Sequence, residues 1–264
     1  MAFKLKNSMQ QSHLFSLYIP NLKLDFWIID QIVDLFDIDL IHRLSKILRF
    51  EIGDQIVFFN KKISVNVVIQ EISKKNIKIK VQAIQFHELL TPHITFLLPL
   101  LKKEALEQAV YSLCELGVNK IQLVITQKSR QNLLHDKEFV RLQKIVISAA
   151  EQSKNYNFSE LIAPKKLTEI ISKISNVIPG FELESNVFNI VFDPKGQSFF
   201  DLHEKLYSAR NSLPINLLIG PEGGLVDQEL QLVQKFDFAL CTLTPTILTA
   251  VQAVALGAGL FRLK

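Results

Sequence analysis

The chain has 264 residues, enough for one large domain or two ordinary ones, and 48% apolar with 21% charged residues excludes a disordered or fibrous protein. Lysine and arginine exceed aspartate and glutamate by four, which permits a polyanionic partner without requiring one. No apolar run approaches the ~20 residues of a membrane span, and the first eleven residues carry Lys4 and Lys6 rather than a signal sequence, so the expectation is a cytoplasmic protein with no membrane partner.

The basic residues are six arginines against 24 lysines, and only arginine grips phosphate with a planar fork. Cys114 and Cys241 lie far apart, in no metal-ligand spacing, and read as small core residues in a reducing compartment. Six scattered histidines form no HxxxH or HExxH pattern, so no metal site is expected.

In chain order, residues 14–20 read as a first strand stopped by Pro20. Residues 39–50 space Leu40, Leu44, Ile47 and Leu48 at helical intervals and predict a short helix. Gly53-Asp54 turns the chain into a strand at 55–60, followed by strands at 64–72 and 76–84 joined by Ser73-Lys74-Lys75. Lys78 and Lys80 alternate with Ile77, Ile79 and Val81, the period of a strand with one wet face. Short strands at this spacing predict a small β-barrel. Residues 88–92 carry little pattern and include Pro92, which separates a domain at 1–90 from one at 91–264.

From Ile94 the texture becomes strands alternating with longer helical segments. Strands are expected at 94–100, 120–126, 187–192, 215–219 and 239–243. Helices are expected at 103–116 (ended by Gly117), 139–155, 167–175, 202–209, 228–236 and 250–260. This alternation predicts an α/β domain with a mostly parallel sheet.

The chemistry concentrates in Leu217-Leu218-Ile219-Gly220-Pro221-Glu222-Gly223-Gly224-Leu225. Proline donates no ladder hydrogen bond, so the strand stops by Gly220. Gly223 and Gly224 let a ligand approach the backbone closely. A strand end, a bare glycine loop and a following helix N-terminus together form a common ligand site in open α/β sheets, or else a tight turn with no ligand.

The string Ile-Gly-Pro-Glu-Gly-Gly-Leu at 219–225, with Glu229 beyond it and the loop Leu243-Thr244-Pro245-Thr246-Ile247-Leu248, resembles the ribosomal RNA small subunit methyltransferase E family. That family belongs to the SPOUT class of knotted methyltransferases. Glu115-Leu116-Gly117-Val118 and Ala149-Ala150-Glu151-Gln152-Ser153 resemble two further segments of the family. So do His42-Arg43-Leu44-Ser45-Lys46-Ile47-Leu48-Arg49 and Gly53-Asp54.

The resemblance runs from about residue 15 to the C-terminus. It implies a PUA-like N-terminal barrel, a C-terminal α/β SPOUT domain with a trefoil knot, and a homodimer. It also implies S-adenosylmethionine as cofactor and methylation of a uridine N3 in 16S ribosomal RNA or the small subunit. On this resemblance Arg43, Lys46, Arg49, Lys74 and Lys75 are the RNA-binding residues, with an ordinary solvated helix face as the alternative for the 43–49 segment.

The cofactor would lie among Phe192, Ile219, Gly220, Pro221, Glu222, Gly223, Gly224, Leu243, Ile247 and Leu248, where the loops Phe192-Asp193-Pro194, Gly220–Gly224 and Leu243–Leu248 converge and offer backbone groups. The apolar members pack on adenine, or are plain core if the pocket is empty. Methyl transfer is mostly positioning, but uridine N3 carries a proton that must leave. Glu222 is the candidate catalytic carboxylate, as base or anchor, or else it only holds the loop through backbone N–H groups. The target base must be unstacked from folded RNA to reach the pocket.

The chain departs from the family pattern where the family contacts RNA. Thr246, Thr249 and Val251 stand where it carries two arginines and a glutamate; Asn155, or Lys154 with a shift of one, and Ser16 stand at other basic positions. Val226 replaces a serine cap, with Asp227 expected to cap one residue later. Two readings follow: an ordinary member whose remaining lysines and arginines suffice, or a diverged dimer that binds RNA and cofactor with weak, altered or no methylation. A scaffold with an empty pocket is disfavoured by the intact glycine string.

Overall fold

The computed structural model describes residues 14–20, 23–130, 133–174, 187–199, 201 and 213–263. It divides into two compact units, Met1–His87 and Glu88–Lys264.

The N-terminal unit holds a five-stranded sheet in the order β1 (Phe15–Tyr18), β3 (Gln55–Phe59), β4 (Ile63–Ile72), β5 (Ile77–Phe86), β2 (Ile32–Leu35). β1 runs parallel to β3 and the other pairs are antiparallel. Leu17 of β1 and Leu35 of β2, from opposite edges, share one core with Phe58, Val65, Ile69 and Ile79, so the sheet curls around that core. β2 escapes sequence reading because it has four residues and lies among exposed Phe26, Ile28, Ile29 and Phe36, which erase the alternation.

The helix expected at 39–50 is shorter than its apolar spacing suggests. α1 covers Ile38–His42, capped by Asp37 Oδ1 on the Leu40 amide at 3.0 Å, and a π turn follows over Arg43–Ile47. The Phe50 amide reaches back to the Leu44 carbonyl at 3.0 Å, and Arg49 takes a left-handed φ of 57° to allow it. That position is normally glycine's, and a residue with a Cβ holds it at a cost of about 1–2 kcal/mol.

The C-terminal unit is a parallel six-stranded sheet in the order β11 (Phe238–Thr242), β9 (Phe188–Ser198), β10 (Ile215–Ile219), β6 (Ile94–Pro99), β7 (Lys120–Ile125), β8 (Glu160–Lys166). Leu97, Val191 and Leu218 face α4 (Leu167–Ile174) and α5 (Asp227–Lys235), burying Ile171, Leu230 and Val233. Side chains alternate across a strand, so Phe96, Ile190, Phe192, Leu217 and Ile219 face the other layer: α2 (Lys103–Glu115), α3 (Asp136–Ser153) and α6 (Ala250–Gly259). Each fully buried apolar side chain contributes about 1.5–3 kcal/mol.

One strand was not foreseen and three expectations need correcting. β8 is an extra edge strand, hidden in the sequence by Pro164, which an edge tolerates. β9 does not end at Asp193-Pro194 but resumes after an irregularity, Gln197 and Ser198 pairing with Cys241 and Thr242. α3 begins at Asp136, three residues early, because Glu138 reaches back to the His135 amide at 3.1 Å. Asp227 is the first residue of α5 rather than its cap; its carboxylate pairs with Lys195 at 3.1 Å, while Glu229 serves the Val226 amide at 3.1 Å. The helix expected at 202–209 lies outside the described residues. Among the described residues, no helix is long and apolar enough to cross a membrane.

Candidate active site

β11, β9 and β10 are neighbours in the sheet, and the loops that follow β10 and β11 meet the irregular Asp193-Pro194 stretch within β9. Ile219 and Phe192 are register partners at the last paired rung of β10 and β9, so both side chains stand at one level beneath the loops. Phe192 is buried against α6, where a Cβ on Gly257 would come within 2.5 Å of its ring. That glycine brings α6 close over the strand ends.

Above this floor lies a pocket of about 390 Å³, within the size range of small-molecule sites. Its walls are Phe192, Ile219, Leu243, Ile247, Leu248 and Ala253, and its rim includes Asp193, Gly220, Pro221, Glu222, Gly224 and Thr242, Thr244, Thr246 and Thr249. Ile247 is 86% exposed, an apolar side chain left open to solvent at the pocket mouth.

The glycine loop is turned tightly on itself. A Cβ on Gly220 would lie 2.8 Å from the Leu225 amide nitrogen, and Gly224 takes a φ of 70°, so side chains are excluded by packing at one residue and by backbone conformation at the other. Two carboxylates tie this region to neighbouring loops. Glu222 Oε1 accepts from the Lys102 amide at 3.0 Å, and Glu229 Oε1 from the Gln127 amide at 2.8 Å. Of the ten residues expected at the cofactor, nine line the pocket; Gly223 does not, and its carbonyl accepts from Lys128 Nζ at 2.8 Å.

The third loop is stitched by its own threonines. Thr242 Oγ1 donates to the Thr244 carbonyl at 3.2 Å and Thr244 Oγ1 to the Thr246 carbonyl at 2.7 Å. Thr249 is the N-cap of α6, accepting from the Gln252 amide at 3.4 Å. Asn155 turns inward onto the Cys114 carbonyl at 3.3 Å, and Lys154 closes α3 with a left-handed φ of 58°. Ser16 is buried in β1.

Asp193, Pro194, Thr244 and Thr246 line the pocket from within the loops expected at the cofactor, 192–194 and 243–248, whereas Thr242, Thr249, Ala250 and Ala253 line it from outside them and were missed in the sequence. The polar identity of the rim was the available signal. Burial pushes the Cys114 thiol up to about 12 and the Cys241 thiol up to about 11, so neither supplies a thiolate near neutral pH. Among the described residues, no group of three His, Cys, Asp or Glu side chains is placed to hold a metal ion.

In the N-terminal unit, Arg43 and Lys46 share the π turn, Arg49 follows it, and Lys74 and Lys75 sit in the β4–β5 turn. Lys46, Arg49, Lys74 and Lys75 are exposed. Arg43 is half-buried and lines a 260 Å³ cavity with Tyr18, Asp37 and Asp39. The five residues therefore fall on two separate elements.

The chain is similar to ribosomal RNA small subunit methyltransferase E of Buchnera aphidicola subsp. Schizaphis graminum, at 28% identity over 246 residues that cover 89% of this chain and 92% of that one. It is similar to the protein of the same name from Mesomycoplasma hyopneumoniae, at 27% over 165 residues, covering 61% and 65%. In fold it is similar to the crystal structure of a ribosomal RNA small subunit methyltransferase E from Neisseria gonorrhoeae bound to S-adenosyl methionine, with a TM-score of 0.76 at 22% identity, covering 95% and 97%. Residues 88–261 match the RNA methyltransferase domain family, and with well over half the chain inside that match the protein belongs to this family.

Proposed function

We propose that this protein transfers the methyl group of S-adenosylmethionine to N3 of a uridine in 16S ribosomal RNA. The observation that carries the reading is the pocket itself: apolar walls and a backbone-built glycine loop beyond the C-terminal ends of β10 and β11, beside the irregular stretch of β9, in a chain of the RNA methyltransferase domain family. The names of the relatives, and the S-adenosyl methionine in the Neisseria structure, support the cofactor and the ribosomal RNA class.

In this reaction the sulfur–methyl bond breaks as the nitrogen–methyl bond forms, and the N3 proton leaves. The pocket residues align donor and acceptor, which supplies most of the catalysis. The proton is assigned to Glu222, whose bond to the Lys102 amide fixes the carboxylate in place. Replacing Glu222 with Gln keeps an oxygen for that amide but removes the base. The expected outcome is S-adenosylmethionine binding within about twofold of wild type, with methyl transfer slowed by about 10²-fold or more.

The reading also includes a trefoil knot in the C-terminal unit, a PUA-like barrel in the N-terminal one, and a cytoplasmic homodimer. Arg43, Lys46, Arg49, Lys74 and Lys75 are its phosphate contacts. It is tested by mass spectrometry of 16S RNA nucleosides from cells with and without the gene. Loss of a 3-methyluridine signal supports it, and an unchanged spectrum removes it.

One observation favours a second reading, that of a diverged relative with weak methylation. Thr249 is built into the fold as the cap of α6, so the position that carries an arginine in the resembled family here carries a different duty.

A further inference from the structure

We propose that Lys128 is a positioning residue for the glycine loop, and that Gly223 is a glycine in order to seat that lysine rather than to admit a ligand. The proposal rests on the reading that S-adenosylmethionine occupies the pocket beside this loop.

Lys128 sits in a tight turn after β7. The Ser129 amide donates to the Thr126 carbonyl at 3.1 Å, and Ser129 Oγ accepts from the Thr126 amide at 2.9 Å. The turn fixes the point from which the lysine reaches across. Its Nζ donates to the Gly223 carbonyl at 2.8 Å. Its stem covers the Gly223 Cα, since a Cβ built there would lie 3.2 Å from Lys128 Cδ and 3.7 Å from Lys128 Cβ.

Gly223 has no left-handed φ, unlike Gly224, so its backbone tolerates any residue. A side chain here would press on the lysine stem, which would have to shift by a few tenths of an ångström to admit it. Neither Lys128 nor Gly223 lines the pocket. The next residue of the turn, Gln127, gives its amide to Glu229 Oε1 at 2.8 Å, and Glu229 Oε2 holds the Val226 amide at 3.1 Å. The loop between Pro221 and Val226 is therefore held from outside at both ends, by Lys102 on Glu222 and by the 126–129 turn on Gly223 and Glu229. Of these ties, Lys128 is the one made by a side-chain cation to a loop carbonyl. A loop already fixed in its bound shape binds more tightly because less disorder is lost on binding.

The test is calorimetric titration of full-length protein with S-adenosylmethionine in the absence of RNA, so that a lost phosphate contact does not enter. Lys128→Ala is expected to weaken binding about three- to tenfold, the range for one exposed charge-assisted hydrogen bond. kcat at saturating cofactor should stay within about twofold of wild type, so the change falls on KM. Lys128→Arg keeps a donor for the Gly223 carbonyl and should bind within about twofold of wild type.

Gly223→Ala displaces the lysine and should weaken binding to a similar degree, and the double variant Lys128→Ala/Gly223→Ala should be no worse than either single one. Additive losses would return Gly223 to a ligand-facing role and overturn the assignment. Loop order is read separately by hydrogen exchange at the 223–226 amides, which Lys128→Ala should accelerate. A wild type that protects these amides more than Lys128→Ala does, yet binds no S-adenosylmethionine, supports the positioning role and sinks the functional reading. A Lys128→Ala protein matching wild type in both cofactor affinity and exchange sinks the positioning role.

Discussion

At the N-terminal ends of β6 and β7, Arg262 donates through Nη1 to the Pro92 carbonyl and through Nη2 to the Gly117 carbonyl and Asn119 Oδ1, each at 2.8 Å. Buried Asn119 adds bonds to the Leu90 carbonyl at 3.0 Å and from the Ile94 amide at 2.8 Å, and Ser159 Oγ donates to the Val118 carbonyl. Beyond the C-terminal ends of β10 and β11 the bonds instead tie the glycine loop and α5 to the segments that follow β6 and β7, beside an open pocket, and Ile247 is left facing solvent. Both ends belong to one sheet with one strand direction. The difference teaches that one end commits its polar groups to stability, Arg262 Nε excepted, while the other keeps apolar wall and backbone available for a ligand. If so, damage to the two ends should separate binding from stability.

The largest expected effect is on binding. Ala253 lines the pocket from α6, and Ala253→Trp would fill much of it. S-adenosylmethionine affinity should fall about 100-fold or more, equivalent to about 2.7 kcal/mol, with the urea midpoint within error of wild type. A tryptophan variant that binds normally would move the cofactor elsewhere. The counterpart at the opposite end is Arg262→Met, which leaves the Pro92 and Gly117 carbonyls without this donor and Asn119 Oδ1 with the Ile94 amide alone. It should lose about 2–3 kcal/mol of stability in urea unfolding, while cofactor affinity of the folded fraction stays within about twofold. Burial pulls the guanidinium down to about 10, so it remains charged near neutral pH and the loss should not depend on pH there.

A third change sharpens the comparison at the pocket rim. Thr246→Arg with Thr249→Arg and Val251→Glu restores the charges of the resembled family. If an arginine beside the ionising base contributes about 1.4 kcal/mol, single-turnover methylation of small-subunit RNA rises about tenfold. The same change removes the Thr249 cap of α6, at a cost of about 1 kcal/mol, so the faster enzyme should also be the less stable one. A variant neither faster nor less stable would show that the rim charges are dispensable and the cap idle.

Most of the pocket was legible in the sequence because its residues are contiguous: Ile219–Gly224 and Leu243–Leu248 are each one loop, and a loop after an apolar strand can be read from composition. The opposite end was not, because Arg262, Pro92, Gly117 and Asn119 are brought together only by the fold. A lone arginine near the C-terminus gives no sign of its three acceptors. The same limit explains Gly223, whose neighbour Lys128 is 95 residues away along the chain. β2 and β8 were hidden for a different reason: both are edge strands, and an edge needs neither strict alternation nor freedom from proline. Helix limits moved where backbone bonds overrode apolar spacing, as at the Arg43–Ile47 turn.

The smallest effect concerns His93, which stands at the stable end just before β6. Its pKa is lowered, first by burial, then by the cations Lys120 and Arg262, with Glu160 opposing them. A histidine depressed in the fold takes up its proton in the unfolded chain first. The unfolded state then binds more protons as pH falls below about 6.5, and stability declines in that direction; above about 6.5 neither state is protonated and the term vanishes. The slope cannot exceed about 1.4 kcal/mol per pH unit for one group, and partial exposure makes it smaller. NMR titration of the ring should place the midpoint below about 6.5, and Lys120→Gln should move it upward by removing one nearby cation. His93→Gln should flatten the loss of urea stability between pH 7.5 and 5.5, while His87→Gln, made at a site in the N-terminal unit where burial also lowers the pKa, should leave the His93 midpoint unchanged. A His93 midpoint at or above that of an unfolded peptide would mean the cations at this end are too well screened to matter, and the contrast between the two ends would then rest on hydrogen bonds alone.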